Sequence, residues 1–247
     1  MFEYRYQLIS EEAFDLVFAN KIDIKINWLI QNLARYLLKN ISRYRGIIDL
    51  IPAYHTLTVY FDPLLISYQE AKQSLNNLLN SDLFKNSSFA KRIIEIPVCY
   101  DDEFGPDLKD LAEYAKMSID QLIETHTNSD YYIYMLGFLP GFAYMGTVID
   151  RIAMPRLAQP RKKLEAGSVG IAGKQTGMYP VQSPGGWRII GRTPLILYDP
   201  NRPEPRYRAG DYIRFKSISK EQYEQIREQD RAGEYKLNTI SGESDEY

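Results

Sequence analysis

Apolar and polar positions change period several times along the chain. EYRYQLI (3–9) and FDLVFA (14–19) have strand character. In IKINWLIQNLARYLLKN (24–40) the apolar residues recur every three or four positions, which predicts a helix. GIIDLIPAY (46–54) and TLTVYFD (56–62) read as two strands around a tight turn near His55. ISYQEAKQSLNNLLN (66–80) is a second amphipathic helix. The predicted order is ββαββα, an antiparallel sheet with helices on one face, an α+β domain over residues 1–88.

The polar, turn-rich SDLFKNSSFAK (81–91) predicts a linker. RIIEIPVCY (92–100) opens a second unit as a strand, followed by short helices over 105–117 and 118–127, with Ser118 as N-cap of the latter. From Tyr131 onward short apolar runs are separated by Gly and Pro, the pattern of a β-barrel or sandwich. Its last strand falls within residues 198–218. These elements define a second domain over 89–228 and a polar C-terminal tail over 229–247, a short helix fraying into a disordered end.

The composition is that of a globular protein, with 45% hydrophobic and 25% charged residues. A net charge of -2 gives no global attraction to nucleic acid or to an anionic membrane. The uncharged stretch 131–149 is broken by Gly137, Pro140, Gly141 and Gly146, so it reads as strand, turn, strand and not as a membrane span. Cys99 is the one cysteine, which excludes an intrachain disulfide and fits a reducing compartment. Without a signal-peptide pattern at residues 1–14, the expected location is the cytoplasm.

GIAGKQTG (170–177) has the look of a nucleotide loop but fails its spacing. Gly167 lies one residue too far from Gly173, Gln175 follows Lys174 where Ser or Thr is needed, and no helix follows. No nucleotide motif is evident in this chain. Seven of the fifteen glycines nevertheless fall between Gly167 and Gly191, a density that suits tight barrel turns or close approach to a ligand or partner. Between Arg151 and Tyr198 there are eight basic residues and one acid, Glu165. Arg156 and Arg161 each follow a proline, and with Arg192 they are candidates to fork onto a carboxylate or an acidic partner.

Of the two histidines, His55 sits at a predicted turn and His126 is the one candidate acid/base, against the alternative of a capping or structural role. Two histidines and one cysteine provide no metal site of usual spacing. Phe138, Phe142 and Tyr144 in GFLPGFAYMG are either core or the lining of an apolar pocket.

GFLPGFAYMG (137–146), MPR (154–156), QPR (159–161) and AGSVGIAGKQTGMYPVQSPGGWRIIGRTPL (166–195) together resemble one family. It is known variously as the 5-oxoprolinase B subunit, Kip-type sporulation kinase inhibitor and allophanate hydrolase subunit 1. IPVCYDDEFGPDLKDLA (96–112), AGDYIRF (209–215) and IIDLIPAYHTLTVYFDP (47–63) follow its pattern too, so the resemblance covers roughly residues 47–218. Two departures stand out: Leu164-Glu165 where Val-Pro is usual, and SEEAFD (10–15) where a Gly-Asp turn is usual.

The resemblance implies a small N-terminal α/β domain followed by a cyclophilin-like β-barrel. It implies a B subunit that works with 5-oxoprolinase subunits A and C to open 5-oxoproline to glutamate, with ATP used at the level of the complex and little activity alone. The implied site is His126, Phe138, Pro140, Gly141, Phe142, Tyr144, Arg156, Arg161, Gln175, Thr176, Tyr179, Ser183, Pro184, Gly185, Gly186, Trp187 and Arg192. Two other roles carried by the same motifs are inhibition of a sensor histidine kinase and, ranked last, an allophanate hydrolase subunit. Cyclophilin likeness would not carry prolyl isomerase activity with it.

Overall fold

The computed structural model describes residues 2–81, 84 and 90–242. The chain divides into two compact units, the first reaching to Ala90 and the second spanning Lys91–Gly242. The linker expected over 81–91 falls mostly outside the described residues.

The first unit runs β1 (Arg5–Ser10), β2 (Ala13–Val17), α1 (Ile24–Lys39), β3 (Ile47–Pro52), β4 (Thr56–Phe61) and α2 (Tyr68–Asn80). Its sheet is antiparallel in the order β1-β2-β4-β3. Asp23 caps α1 by accepting from the Lys25 and Ile26 amides, and Ser67 with Glu70 forms a capping box on α2. The helices close over Phe14, Leu16, Leu57 and Val59 of the sheet, with Ile30, Leu33 and Leu75 as the helical half of the core. The turn at His55 joins β3 to β4, and Asn27 of α1 donates to the Ala53 and Tyr54 carbonyls there.

The second unit begins with β5 (Lys91–Val98), α3 (Leu108–Ala115) and α4 (Ile119–Thr127). Then come β6 (Asp130–Leu136), β7 (Ala143–Gly146), β8 (Arg161–Leu164), β9 (Ser168–Ala172), β10 (Gln175–Met178), β11 (Ser183–Gly185), β12 (Arg188–Arg192) and β13 (Tyr212–Ser217). It ends in α5 (Lys220–Arg231) and β14 (Thr239–Gly242). Eight strands form one sheet, β12-β9-β10-β7-β6-β13-β5-β14, and β8 pairs with β11 as a separate ribbon. β14 covers the outer edge of β5 as far as Ile94. Beyond it, Cys99 and Arg192 exchange backbone hydrogen bonds of 2.9 and 3.0 Å, so the sheet curls until β5 and β12 meet. The interior is filled by Ile96, Val98, Ile133, Met145, Val169, Ile171, Met178, Ile190, Ile213 and Phe215.

Within the expected polar tail over 229–247, α5 reaches Arg231 and Thr239–Gly242 is a strand paired with β5, while 243–247 lie outside the described residues. All four β14 residues are exposed, so their apolar content gave no strand signal; backbone pairing places them. Among the described residues no helix is long and apolar enough to cross a membrane.

Candidate functional site

The stretch around Lys174 is a hairpin. Ala172 pairs with Gln175, and the two residues between them turn the chain from β9 into β10. Gly173 has φ +58° and Lys174 does not share a positive φ, the combination of a type II′ turn, which asks for Gly at its first central position. The turn is pinned by Gly173 N–H to the Met154 carbonyl and Val148 N–H to the Lys174 carbonyl. The Lys174 ammonium reaches the exposed Asp150 carboxylate at 2.7 Å. This is a strand connection and not a phosphate cradle. Lys174→Ala is expected to change stability by less than about 0.5 kcal/mol, as for exposed positions generally, and to leave activity at the wild-type level; a loss of activity would restore the phosphate reading.

Of the two roles open to His126, acid/base and structural, its surroundings fit the structural one. It is fully buried on α4, stacked on Phe215 at 4.7 Å between ring centroids, with Tyr131 at 5.2 Å from the imidazole and 5.7 Å from Phe215, so the three rings form one cluster. Thr176 donates its hydroxyl hydrogen to the Gly170 carbonyl, so its oxygen is left to accept from His126 Nε2 at 3.1 Å. Nδ1 is then the bare nitrogen and accepts from the Tyr100 hydroxyl at 2.8 Å. Burial pushes the imidazole pKa from 6.5 down to about 3 and pushes the Tyr100 hydroxyl well up. Every polar atom of the His126 ring is satisfied inside the protein. The imidazole is a neutral strut of the core, and Thr176 belongs to the same strut.

Two of the three candidate arginines are also engaged within the chain. Arg161 donates both ends of its fork to Asp107, at 2.7 and 2.8 Å, and the same carboxylate accepts from the Ile189 amide at 2.7 Å. Arg192 donates to the Ala166 carbonyl and lies 3.6 Å from Glu165. Most of the other basic residues of the segment also meet groups of this chain. Lys163 pairs with Glu165, and Arg188 faces Asp107 and Asp110. Arg151 donates to the carbonyls of Ala115 and Lys116. The acids that the segment lacks come from Asp107, Asp110 and Asp150, outside it in sequence. Asp107 is a residue that sequence reasoning missed. Its signal is weak: an Asp one residue ahead of a helix ordinarily caps that helix, whereas this one makes no cap bond to α3 and turns to Arg161.

The aromatic candidates do come together. Phe142 is the hub, with Tyr144 at 5.0 Å, Tyr179 at 5.4 Å, Trp187 at 5.5 Å and Phe138 at 5.8 Å between ring centroids. All four contacts are edge-on, the favoured arrangement for aromatic pairs. The Tyr179 ring lies against Gly185, where a Cβ would sit 2.4 Å from its hydroxyl oxygen, and burial raises that hydroxyl's pKa. Gly186 accepts from the Leu157 amide and Pro184 is exposed. Ser183 is buried with its Oγ making no hydrogen bond. Gln175 is half-buried at the start of β10, opposite Gly146.

The exposed rim of the cluster is Phe138 and Arg156. Arg156 stands over the Trp187 ring, 6.0 Å from its centroid, with the backbone fixed on both sides: Pro155 O accepts from Arg188 and Leu157 N–H is held by Gly186. Phe138 is at the tip of the β6–β7 hairpin. Leu139 N–H returns to the Gly137 carbonyl and Phe138 has φ +69°, a γ-turn of the positive-φ form, which is rare and strained. A bulky side chain held at positive φ costs about 1–3 kcal/mol. The next turn is type II, with Pro140 and then Gly141 at φ +79°, closed by Phe142 N–H to Leu139 O. Tyr207, itself buried, donates to the Gly141 carbonyl at 2.7 Å and anchors the tip from behind.

Two clefts, of about 460 and 610 Å³, open elsewhere on this unit, and none of the candidate residues lines either. Among the described residues no group of three or more His, Cys, Asp or Glu could hold a metal ion.

Comparison with known proteins places this arrangement. Residues 4–208 match the family described as carboxyltransferase domain, subdomain C and D. A 5-oxoprolinase B subunit from Bacillus subtilis is 38% identical over 92% of this chain and 98% of its own length. One from Escherichia coli O157:H7 is 37% identical over 85% and 94%. Among solved structures, TTHA0988 superposes with a TM-score of 0.73 at 34% identity. That match covers 84% of this chain but 40% of the other, so this chain spans about two fifths of the longer one. By the extent of these matches, the chain belongs to the carboxyltransferase subdomain C and D family, to which it is joined by its similarity to bacterial 5-oxoprolinase B subunits.

Proposed function

We propose that this chain is the B subunit of an ATP-dependent 5-oxoprolinase, which opens the lactam of 5-oxo-L-proline to L-glutamate together with subunits A and C. The observation that carries the reading is the end-to-end match to the Bacillus subtilis relative, at 38% identity over 98% of its length. Opening a stable lactam needs a group that moves protons and a source of free energy. His126 cannot exchange protons with a substrate from inside the core, and the Gly173-Lys174 turn does not fit a phosphate chain, so no step through ATP is assigned to it. Proton transfer and ATP use fall to the companion subunits. This chain contributes its aromatic cluster, with Phe138 and Arg156 as the part turned outward, and it is expected to be inactive alone.

The test is ATP-dependent release of glutamate from 5-oxoproline by this chain mixed with candidate A and C subunits, omitting each in turn. Activity that requires all three is the expected result. Three folded and associated subunits without activity would overturn the reading.

A further inference from the structure

We infer that the Phe138 hairpin tip, together with Arg156, is where a companion polypeptide docks: a partner presenting an apolar socket for the ring and a carboxylate for the guanidinium. The inference rests on the multi-subunit reading above and names the surface that it uses.

Phe138 leaves 69% of its surface in water and is held there by a γ-turn that its own side chain disfavours. Neither exposure nor strain stabilises the chain on its own, so both call for something outside it. The tip is also rigid from behind. A Pro-Gly turn follows it, the Tyr207 hydroxyl holds Gly141, and the Phe142 ring supports Phe138 edge-on. An aromatic ring and an arginine fixed at the surface are the kinds of side chain that carry interface binding energy.

Arg156 supplies the charge. Arg151, Arg161, Lys163, Lys174, Arg188 and Arg192 are met by carboxylates or carbonyls of this chain, whereas Arg156 meets the face of Trp187. Arg156 and Phe138 are joined through Trp187 and Phe142 by successive spacings of 6.0, 5.5 and 5.8 Å. Both therefore border the same aromatic cluster. Phe138 and Arg156 line neither of the two clefts described above. The solved relative points to which protein: it carries this region as 40% of a longer chain, so a companion region exists there within the same polypeptide.

The probe is the counterpart of that remaining region from the same organism, made as a separate polypeptide and titrated calorimetrically into the full chain. Phe138→Gly is the informative variant, because glycine adopts φ +69° freely. It is expected to leave the melting temperature of the free chain unchanged or higher while weakening association by about tenfold or more, as for loss of an aromatic anchor. Arg156→Glu is expected to weaken association to a similar degree, and Leu64→Ala, exposed on the first unit, to leave it unchanged. Wild-type affinity in Phe138→Gly would overturn the inference and leave the 5-oxoprolinase reading standing. Unchanged affinity with a raised KM for 5-oxoproline would overturn it in favour of a substrate site. If the wild-type chain binds no companion, the inference falls together with the multi-subunit reading.

Discussion

Replacing His126 by alanine is expected to destabilise the protein by about 3–5 kcal/mol, the range for emptying a buried aromatic position. Two further losses act in the same direction. The Tyr100 hydroxyl loses the acceptor it donates to, and the Thr176 oxygen loses its donor, both inside the core. Denaturant unfolding of the variant gives the number. An acid/base role predicts the opposite pattern, wild-type stability with activity of the complex abolished, and that result would sink the structural assignment.

The imidazole also makes a pH prediction with a definite sign. Its folded pKa, about 3, lies below the unfolded value of 6.5, so between these values the unfolded chain binds the extra proton. The stabilisation from keeping His126 neutral is complete above pH 6.5 and declines as the pH falls toward 3, by up to about 1.4 kcal/mol per pH unit. Carboxylates begin to protonate below about pH 5, so the interval from 6.5 to 5 isolates the histidine. In that interval the stability gap between wild type and His126→Phe should narrow. A gap that stays constant from pH 7.5 to 5 would mean that the native imidazole takes up a proton as easily as the unfolded one.

The sealed position of His126 is partly legible in the sequence. Ile119, Leu122, Ile123 and His126 follow each other at the spacing of one helical face, and that face is the buried side of α4. The pattern places the imidazole with the core, while its rarity in the chain points to chemistry instead. The helices of the first unit are legible for the same reason, since each repeats its apolar positions over three or more turns. The Gly-Lys turn is legible as well, because two residues between alternating runs are a hairpin signal when the first is Gly.

The arginines are not legible. A guanidinium beside a proline states that it is aimed, but not at what. Arg161 finds Asp107 54 residues away, and only the tertiary fold brings the β8 ribbon and the start of α3 together. Charge counted along a segment misleads for the same reason, since Glu165 is the one acid within residues 151–192 and Asp107, Asp110 and Asp150 meet Arg161, Arg188 and Lys174 from outside it. The aromatic cluster stands between these cases. Its members are marked by the resemblance, yet the strained backbone that exposes Phe138 while burying Phe142 four residues later follows from two consecutive turns and not from composition.

Asp107→Ala is the second large effect expected, about 3 kcal/mol or more of lost stability. Asp107 is 2% exposed and accepts three hydrogen bonds, two from Arg161 and one from the Ile189 amide. Breaking a buried ion pair from one side costs about 3–5 kcal/mol. The lower end applies here, because the Arg161 side chain keeps 31% of its surface in water and can be solvated once released. The Ile189 amide has no such relief. These bonds tie the β8 strand to the start of α3 and to β12, directly beside Trp187, so the loss should also reach the aromatic cluster. Trp187 fluorescence, read in a Trp28→Phe background because the chain has two tryptophans, reports that second effect. Arg161→Lys separates fork geometry from charge: an ammonium cannot span both carboxylate oxygens, so it should fall between wild type and Asp107→Ala in stability. If instead Arg161→Lys keeps full stability while the assembled complex loses its affinity for 5-oxoproline, the guanidinium serves the substrate and not Asp107. The carboxylate that the sequence predicted for Arg161 would then lie outside this chain after all.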